Sequence, residues 1–302
     1  MSQIDINLVE DYETATDTMQ SLLVGRYYPI TLNGFKLPQE LIQSLSGSAK
    51  GLFERIGNHQ LVARRCLTEI KFPSKINPKI QWMLHWELDS YSVLVRSAFE
   101  CLLTLEHIYL NSPSVDELLL RYNLWIFSQT RAYCKAIAKV DPSLVTSAEN
   151  EVSKMLKATQ SLPIYLTLDT KSQAIIDGMK DYKKKAFWMY YIDNNSLELV
   201  DGSWKGISKR LSPSLENVYG LLSEMAHPTL MSTYIINGDK RPKLHFQPNI
   251  HIALGLLVCS LSIRAACLCY TDVAAKFKEL PAQNQELINK QLKHWLGDGS
   301  EL

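Results

Sequence analysis

The stretch SPSLENVYGLLSEMAHP, residues 212–228, decides the fold that we predict, because it is a short helix with both ends marked. Ser212 is a favourable N-cap, and Pro213 takes the first helical position, where its missing amide hydrogen would have had no partner. Pro228 stops the helix. At about 100° per residue, the apolar residues form one broad arc, which predicts packing against other helices. The arc consists of Leu215, Val218, Tyr219, Leu221, Leu222, Met225 and Ala226.

A polar column follows one edge of this predicted helix. Tyr219, Ser223 and His227 recur at every fourth position, so their side chains lie one above another. His227 ends the helix, where the negative end of the helix dipole raises the basicity of an imidazole. We therefore predict His227 as a catalytic residue, with Tyr219 and Ser223 as binding residues. A structural hydrogen bond from His227 to another helix is the alternative.

A second polar line lies on residues 79–111, the longest helix that the sequence predicts. This helix is apolar around most of its circumference, which is typical of a central element. Arg96 and Glu100 are i,i+4 neighbours and fall within about 40° of Asp89 and His107. A buried charge without a partner is destabilising, so the line needs partners on another helix. We predict that it faces the polar column and that Arg96 and Glu100 are catalytic.

The remaining chain predicts an all-α fold, a single multi-helix globular bundle. Further helices are expected over residues 5–24, 38–71 with a break near Gly57, 112–140, 142–162, 170–193, 249–277 and 281–296. One small β-hairpin is expected near residues 233–246, where an Asn-Gly-Asp turn separates two β-prone runs. We expect one domain over residues 1–302, with an N-terminal helical region (1–77) and a core helical region (78–302).

Two of these helices carry further signals. Ser114 and Glu117 have the spacing of a capping box at the start of helix 112–140. The apolar run in 249–277 approaches the length of a membrane span, but Arg264 interrupts it and no second span accompanies it. We therefore predict a buried core helix, no membrane partner, and an internal acceptor for Arg264.

The composition excludes a global attraction to nucleic acid, because the formal net charge is only +1. Lys184 and Lys185 stand beside a run of aromatic residues, a combination that can grip single-stranded nucleic acid by charge and stacking. Solvated lysines over core-facing aromatics are the alternative. The amino-terminal residues lack the order of a secretion signal, which predicts a cytoplasmic protein.

Motifs of several enzyme classes do not occur in the sequence: the phosphate-binding loop, GxGxxG, GxSxG, HExxH and CxxC. Their absence disfavours nucleotide hydrolysis, dinucleotide redox chemistry, esterase action and zinc proteolysis. The cysteines stand singly inside apolar patterns, and the histidines other than His227 show no metal-ligand spacing. We expect no cofactor and no metal.

Three parts of the sequence resemble a known protein family. They are SVLVRSAFECLLTLEHIYLN (92–111), the W-x-G-x-S pattern of Trp204, Gly206 and Ser208, and VYGLLSEMAHP (218–228). Together they resemble a large bacterial family of uncharacterised helical proteins with an Arg-x-x-x-Glu helix and a Tyr-x-x-x-Ser-x-x-x-His helix. Members are loosely grouped with HEPN-like proteins, several of which are ribonucleases in toxin and phage-defence systems. The resemblance adds Trp204 to the binding candidates.

This resemblance implies a prokaryotic effector that acts on nucleic acid, with RNA, another defence-system protein or a second copy of the chain as partner. Catalytic HEPN proteins carry an Arg, four to six residues and then a His on one helix, and no such pair occurs here. A composite site would have to replace that motif, with Arg96 and Glu100 from one helix and His227 from another. The alternative is a non-enzymatic binding or assembly protein whose polar helix–helix network is structural.

Overall fold

A computed structural model describes residues 5–23, 30–31, 39–68, 70–73, 81–84, 87–137, 140–141, 143, 145–180, 188–200, 204–226 and 248–302. Within these ranges the chain forms twelve α-helices, so the predicted all-α class is confirmed. The helices are Ile6–Leu23 (α1), Gln39–Cys66 (α2), Leu88–Leu105 (α3), Val115–Ile137 (α4), Val145–Gln160 (α5), Pro163–Thr167 (α6), Thr170–Gly178 (α7), Trp204–Leu211 (α8), Glu216–Ala226 (α9), Pro248–Cys269 (α10), Thr271–Lys278 (α11) and Ala282–Leu296 (α12).

Two short antiparallel hairpins interrupt the helices. Strands β1 (Ile70–Pro73) and β2 (Gln81–Leu84) pair in the first, and β3 (Tyr190–Asp193) and β4 (Ser196–Leu199) pair in the second. Both hairpins correct the sequence prediction, which placed helix on residues 70–71, on β2 and on β3. The hairpin that we expected near 233–246 lies outside the described residues.

The turn of the second hairpin explains why the expected helix 170–193 is wrong at its end. Asn194 and Asn195 join β3 to β4 with φ angles of 48° and 64°. Two successive residues with positive φ give the twist that a two-residue hairpin needs, and asparagine tolerates this conformation better than most residues. Helix α7 ends at Gly178, and residues 190–193 form strand β3 where the sequence predicted helix.

The chain divides into two compact units. The first consists of Met1–Glu106 and Ile207–Leu302, and the second of His107–Gly206. In the second unit, α4 packs on α5 and on β3. The single-domain organisation expected from the sequence stays a prediction.

Helix α10 lies at the centre of the first unit, packed on α1 and α3. Residues Asn249–Cys269 are long and apolar enough to cross a membrane, but 83% of the apolar window is buried in the fold. That burial fits the core helix of a soluble protein. Arg264 on this helix has the acceptor that the sequence required, because its Nη1 lies 3.4 Å from Oε1 of buried Glu106.

The expected helix 249–277 is broken in two. Tyr270 adopts an extended conformation between α10 and α11. Thr31 binds both sides of the break: its amide donates to the carbonyl of Cys269 at 2.8 Å, and its hydroxyl accepts from the amide of Thr271 at 3.0 Å. These bonds satisfy backbone groups that the interruption of the helix leaves without an intrahelical partner.

Two glycines mark close approaches in the first unit. Helix α2 runs unbroken through Gly57, so the predicted break is wrong; Gln20 donates to the Gly57 carbonyl at 2.8 Å. On α10, a Cβ added to Gly255 would lie 1.8 Å from the hydroxyl of Tyr91 and 2.9 Å from Cε2 of Tyr12. Only glycine therefore lets α10 approach these two rings.

Candidate functional site

Helices α3 and α9 pack together and bring the predicted polar residues into contact. The approach to α9 differs from the expected one. Ser212 is extended and makes no side-chain capping bond; its hydroxyl donates instead to the carbonyl of Trp295 at 3.0 Å. A 3-10 turn, Pro213–Leu215, comes first, and regular α-helix begins at Glu216.

Arg96, Glu100 and Tyr219 form a closed hydrogen-bonded ring, which we call the Arg96 cluster. Nε of Arg96 donates to Oε1 of Glu100 at 3.1 Å, within α3. Nη2 of Arg96 donates to the hydroxyl of Tyr219 on α9, also at 3.1 Å. That hydroxyl donates in turn to Oε1 of Glu100 at 3.1 Å. The ring therefore ties α9 to α3 through two hydrogen bonds.

The cluster is half-buried, which sets its electrostatics. The side chains of Arg96 and Glu100 are 21% and 30% exposed. Burial and then the negative charge of Glu100 raise the pKa of the Tyr219 phenol, so the hydroxyl stays a donor at neutral pH. Burial alone would lower the pKa of Arg96, but its contacts with Tyr219 and Glu100 raise it. The arginine is therefore charged, and its charge is offset inside the ring.

The guanidinium of Arg96 also approaches the face of the Tyr219 ring, with Cζ 5.4 Å from the ring centroid. This distance suits a cation–π contact, which adds to the hydrogen bonds between the two helices. The arrangement can therefore hold α9 in one register against α3. It can also present a guanidinium, a carboxylate and a phenol together to solvent.

The structure describes two of the other predicted site residues, Ser223 and Trp204. Ser223 lies on α9 one turn beyond Tyr219 and is half-buried. Trp204 opens α8 and belongs to the second unit. His227, Lys184 and Lys185 lie outside the described residues. The predicted catalytic and binding roles of all these residues stay predictions.

Trp204 takes part in an aromatic series in the second unit. Its ring lies edge-on to that of Trp188, with centroids 5.6 Å apart. Trp188 in turn meets the ring of His107 at 5.6 Å. His107, a residue of the predicted polar line, is buried in this unit. Trp204, Trp188 and His107 therefore form one series of edge-to-face ring contacts.

Sequence reasoning missed a second arginine–glutamate pair, which we call the Arg121 pair. Nη2 of Arg121 donates to Oε1 of Glu117, and both side chains lie in the interior of the second unit. The hydroxyl of Ser114 accepts from the amide of Glu117 at 3.2 Å, which is half of the predicted capping box. The Glu117 carboxylate, however, binds Arg121 and the amide of Ile192. The i,i+4 spacing of Glu117 and Arg121 was the available signal.

A buried serine–histidine contact was also missed. The hydroxyl of Ser92 on α3 lies 2.6 Å from Nδ1 of His251 on α10 and donates to the carbonyl of Leu88 at 2.8 Å. Burial lowers the pKa of His251 to about 4, so its imidazole is neutral at physiological pH. Both side chains are almost fully buried, which excludes a substrate from this pair. No sequence spacing relates the two residues.

The described part of the chain contains no group of three or more His, Cys, Asp or Glu side chains that could hold a metal ion. Comparisons of the chain with known protein families, with curated proteins and with solved structures found no match. The resemblance to HEPN-like proteins therefore stays a prediction, and the function has to be argued from the site itself.

Proposed function

We propose that this chain is a binding or assembly protein in which the Arg96 cluster is structural. The closed ring of Arg96, Glu100 and Tyr219 is the observation that supports this function. Each of the three side chains forms a hydrogen bond with both of the others, and the two charges offset each other. Such a ring fixes the packing of two helices, because a polar group that is partly removed from water favours the one arrangement that satisfies it.

A catalytic arginine that stabilises phosphate needs its positive charge directed at the substrate. Here a carboxylate of the same helix accepts from Nε of Arg96, and a phenol accepts from Nη2. A phosphate would have to compete with Glu100 for the guanidinium. The cluster is therefore better suited to holding α9 in place than to binding an anion.

The experiment combines unfolding with an RNA cleavage assay on the full chain. We expect Arg96→Ala and Glu100→Ala each to lower the melting temperature, and the wild-type protein to leave labelled single-stranded RNA intact. The matched control is Glu54→Ala. Lys50 and Glu54 form an i,i+4 pair on α2 with side chains 39% and 54% exposed. Loss of such an exposed ion pair should leave the melting temperature unchanged.

Cleavage of RNA by the wild-type chain, together with its loss in an Arg96→Ala protein that melts like the parent, would contradict the structural role. Equal melting temperatures of Arg96→Ala, Glu100→Ala and Glu54→Ala would contradict it as well. After either result, the second candidate function would be the one to test.

The second candidate is a cytoplasmic, HEPN-like effector of phage defence or of a toxin system that acts on RNA. The observation that favours it is the partial exposure of Arg96 and Glu100, which leaves the cluster within reach of a ligand. In this proposal His227 is the general acid or base, Arg96 steadies phosphate charge, and Glu100 orients the arginine. RNA, another defence-system protein or a second copy of the chain would be the partner.

The contacts proposed for RNA are Tyr219 of the cluster, Ser223 on the same helix, and Trp204, Lys184 and Lys185. The test is cleavage of single-stranded RNA by wild-type protein and by His227→Ala, with melting curves of both. Loss of cleavage at an unchanged melting temperature supports this candidate. Cleavage that His227→Ala retains would count against it.

A further inference from the structure

Helix α9 has a second face, and this face borders a cavity of about 450 Å³ in the first unit. Tyr219 points to α3, whereas Val218 and Leu221 line the cavity. The opposite walls come from α10 and from the end of α12. The described lining residues are Ser214, Asn217, Val218, Leu221, Ile250, Ala253, Leu254 and Trp295.

The lining of the cavity is almost entirely apolar. Val218 and Leu254 are buried at its base, and Ile250 is 37% exposed. Ser214 and Asn217 also border the cavity and are exposed, but the surface that faces the cavity is almost entirely apolar. None of the described lining residues carries a charge. A charged ligand would lose its hydration here, and none of the described lining residues would supply a counter-charge. The lining therefore favours a neutral molecule.

Hydrogen bonds fix the Trp295 wall of the cavity. The carbonyl of Trp295 accepts from the hydroxyl of Ser212 at 3.0 Å and also from the hydroxyl of Ser214. These bonds attach the end of α12 to the turn that precedes α9. A wall that is already in place spares a ligand the cost of ordering it.

We propose that this cavity binds a small, uncharged and largely apolar molecule. The volume lies within the range of roughly 300–1,000 Å³ that is typical of small-molecule sites. The apolar surface of this molecule contacts Val218, Leu221 and Leu254. This inference goes beyond the proposed function, because it rests on the opposite face of α9 and not on the Arg96 cluster.

The first test uses the neutral fluorophore N-phenylnaphthylamine with the full-length protein. We expect saturable binding of one molecule per chain. Ala253→Phe fills the cavity from α10, and Ile250→Lys places a charge at a partly exposed lining position. Each variant should weaken binding by about tenfold or more. Val93→Lys, at an exposed position of α3 that does not line the cavity, is the matched control and should bind like the parent.

The second test asks for the ligand class by displacement of the bound fluorophore. Nonanol should displace it, whereas nonanoate, which has the same chain length and a negative charge, should not. Equal displacement by both compounds overturns the uncharged class. Absence of saturable binding, or equal binding by wild type, Ala253→Phe and Ile250→Lys with unchanged melting curves, overturns the site. Both outcomes are independent of RNA cleavage and of the stability of Arg96→Ala.

Discussion

The Arg96 cluster and the Arg121 pair contain the same two residue types at the same i,i+4 spacing, in different environments. The side chains of Arg96 and Glu100 are 21% and 30% exposed, whereas those of Arg121 and Glu117 are 6% and 7% exposed. Spacing brings the charges of each pair together. Burial decides how much the fold depends on them and whether a ligand can reach them.

The partners of the two pairs differ accordingly. Nη1 of Arg121 donates to the carbonyls of His107 and Asn111, at 2.7 and 3.2 Å, where the chain leaves a helical segment. These carbonyls would otherwise be among the groups that a helix end leaves without partners. Arg96 instead binds one phenol on a neighbouring helix. The buried pair is thus part of the backbone hydrogen bonding of its unit, and the half-buried pair is a contact between side chains.

The largest effect is expected from breaking the buried pair. Glu117→Ala leaves the charge of Arg121 in the interior of the second unit without its carboxylate. We expect a loss of about 3–5 kcal/mol in the free energy of unfolding, measured by urea denaturation. Glu54→Ala on the exposed α2 pair is the control, with a change close to zero. A loss below about 1 kcal/mol in Glu117→Ala would show that burial does not separate the two pairs.

The buried contact between Ser92 and His251 extends the comparison to a neutral pair. In the unfolded chain His251 has its ordinary pKa of 6.5, whereas in the fold burial lowers this pKa to about 4. As the pH falls through this window, the unfolded state takes up the proton first, so stability is lost. The shift corresponds to roughly 3 kcal/mol of stability.

Urea denaturation of wild type and His251→Gln at several pH values between about 4 and 7 measures this effect. We expect the free energy of unfolding of the wild type to fall toward acid, and the slope to be smaller in His251→Gln. Parallel curves for the two proteins would exclude His251 as the group responsible.

A smaller effect is expected at the half-exposed Arg96 cluster. Tyr219→Phe removes the hydroxyl that accepts from Arg96 and donates to Glu100, but it leaves the direct pair in place. We expect a loss of about 1 kcal/mol in the free energy of unfolding by urea denaturation. A loss as large as that of Glu117→Ala would show that the cluster is as essential to its unit as the Arg121 pair.

Salt should give the smallest effect and the sharpest contrast. At about 1 M salt the Debye length falls to about 3 Å, so the pairing energy of Arg96 and Glu100 should decrease by a few tenths of a kcal/mol. That of Glu117 and Arg121 should not change. Double-mutant cycles to alanine at low and high salt measure both energies. Equal sensitivity to salt would contradict the difference in burial.

Much of this fold could be predicted, because helical periodicity is a strong local signal. The regions of α4, α5, α10 and α12 were recognised from their apolar faces and capping residues. The two hairpins were not. Each strand has only four residues, which is too short to show a period, and the flanking helical patterns were extended across them. The available turn signals were the run PSKINP, residues 73–78, before β2 and the paired asparagines Asn194 and Asn195 between β3 and β4.

The candidate site was predictable where a local rule applied. The i,i+4 spacing anticipated the contact of Arg96 with Glu100, and the search for a partner led to the helix of Tyr219. Glu117 was read as a capping residue because the same side chain can serve a cap or an ion pair. Only tertiary burial decides between them, and burial depends on elements distant in sequence, such as Ile192.

The glycine of α10 that lies against Tyr91 and Tyr12 has a consequence for sequence variation. Every substitution at Gly255 adds a Cβ into space that an aromatic hydroxyl already fills. At Gly47, Gly51 and Gly220 an added Cβ meets nothing within 4 Å, and alanine favours a helix more than glycine does. A library that varies all four positions should therefore keep glycine only at 255. The requirement for glycine at this position therefore marks the point where α10 lies closest to Tyr12 of α1 and Tyr91 of α3.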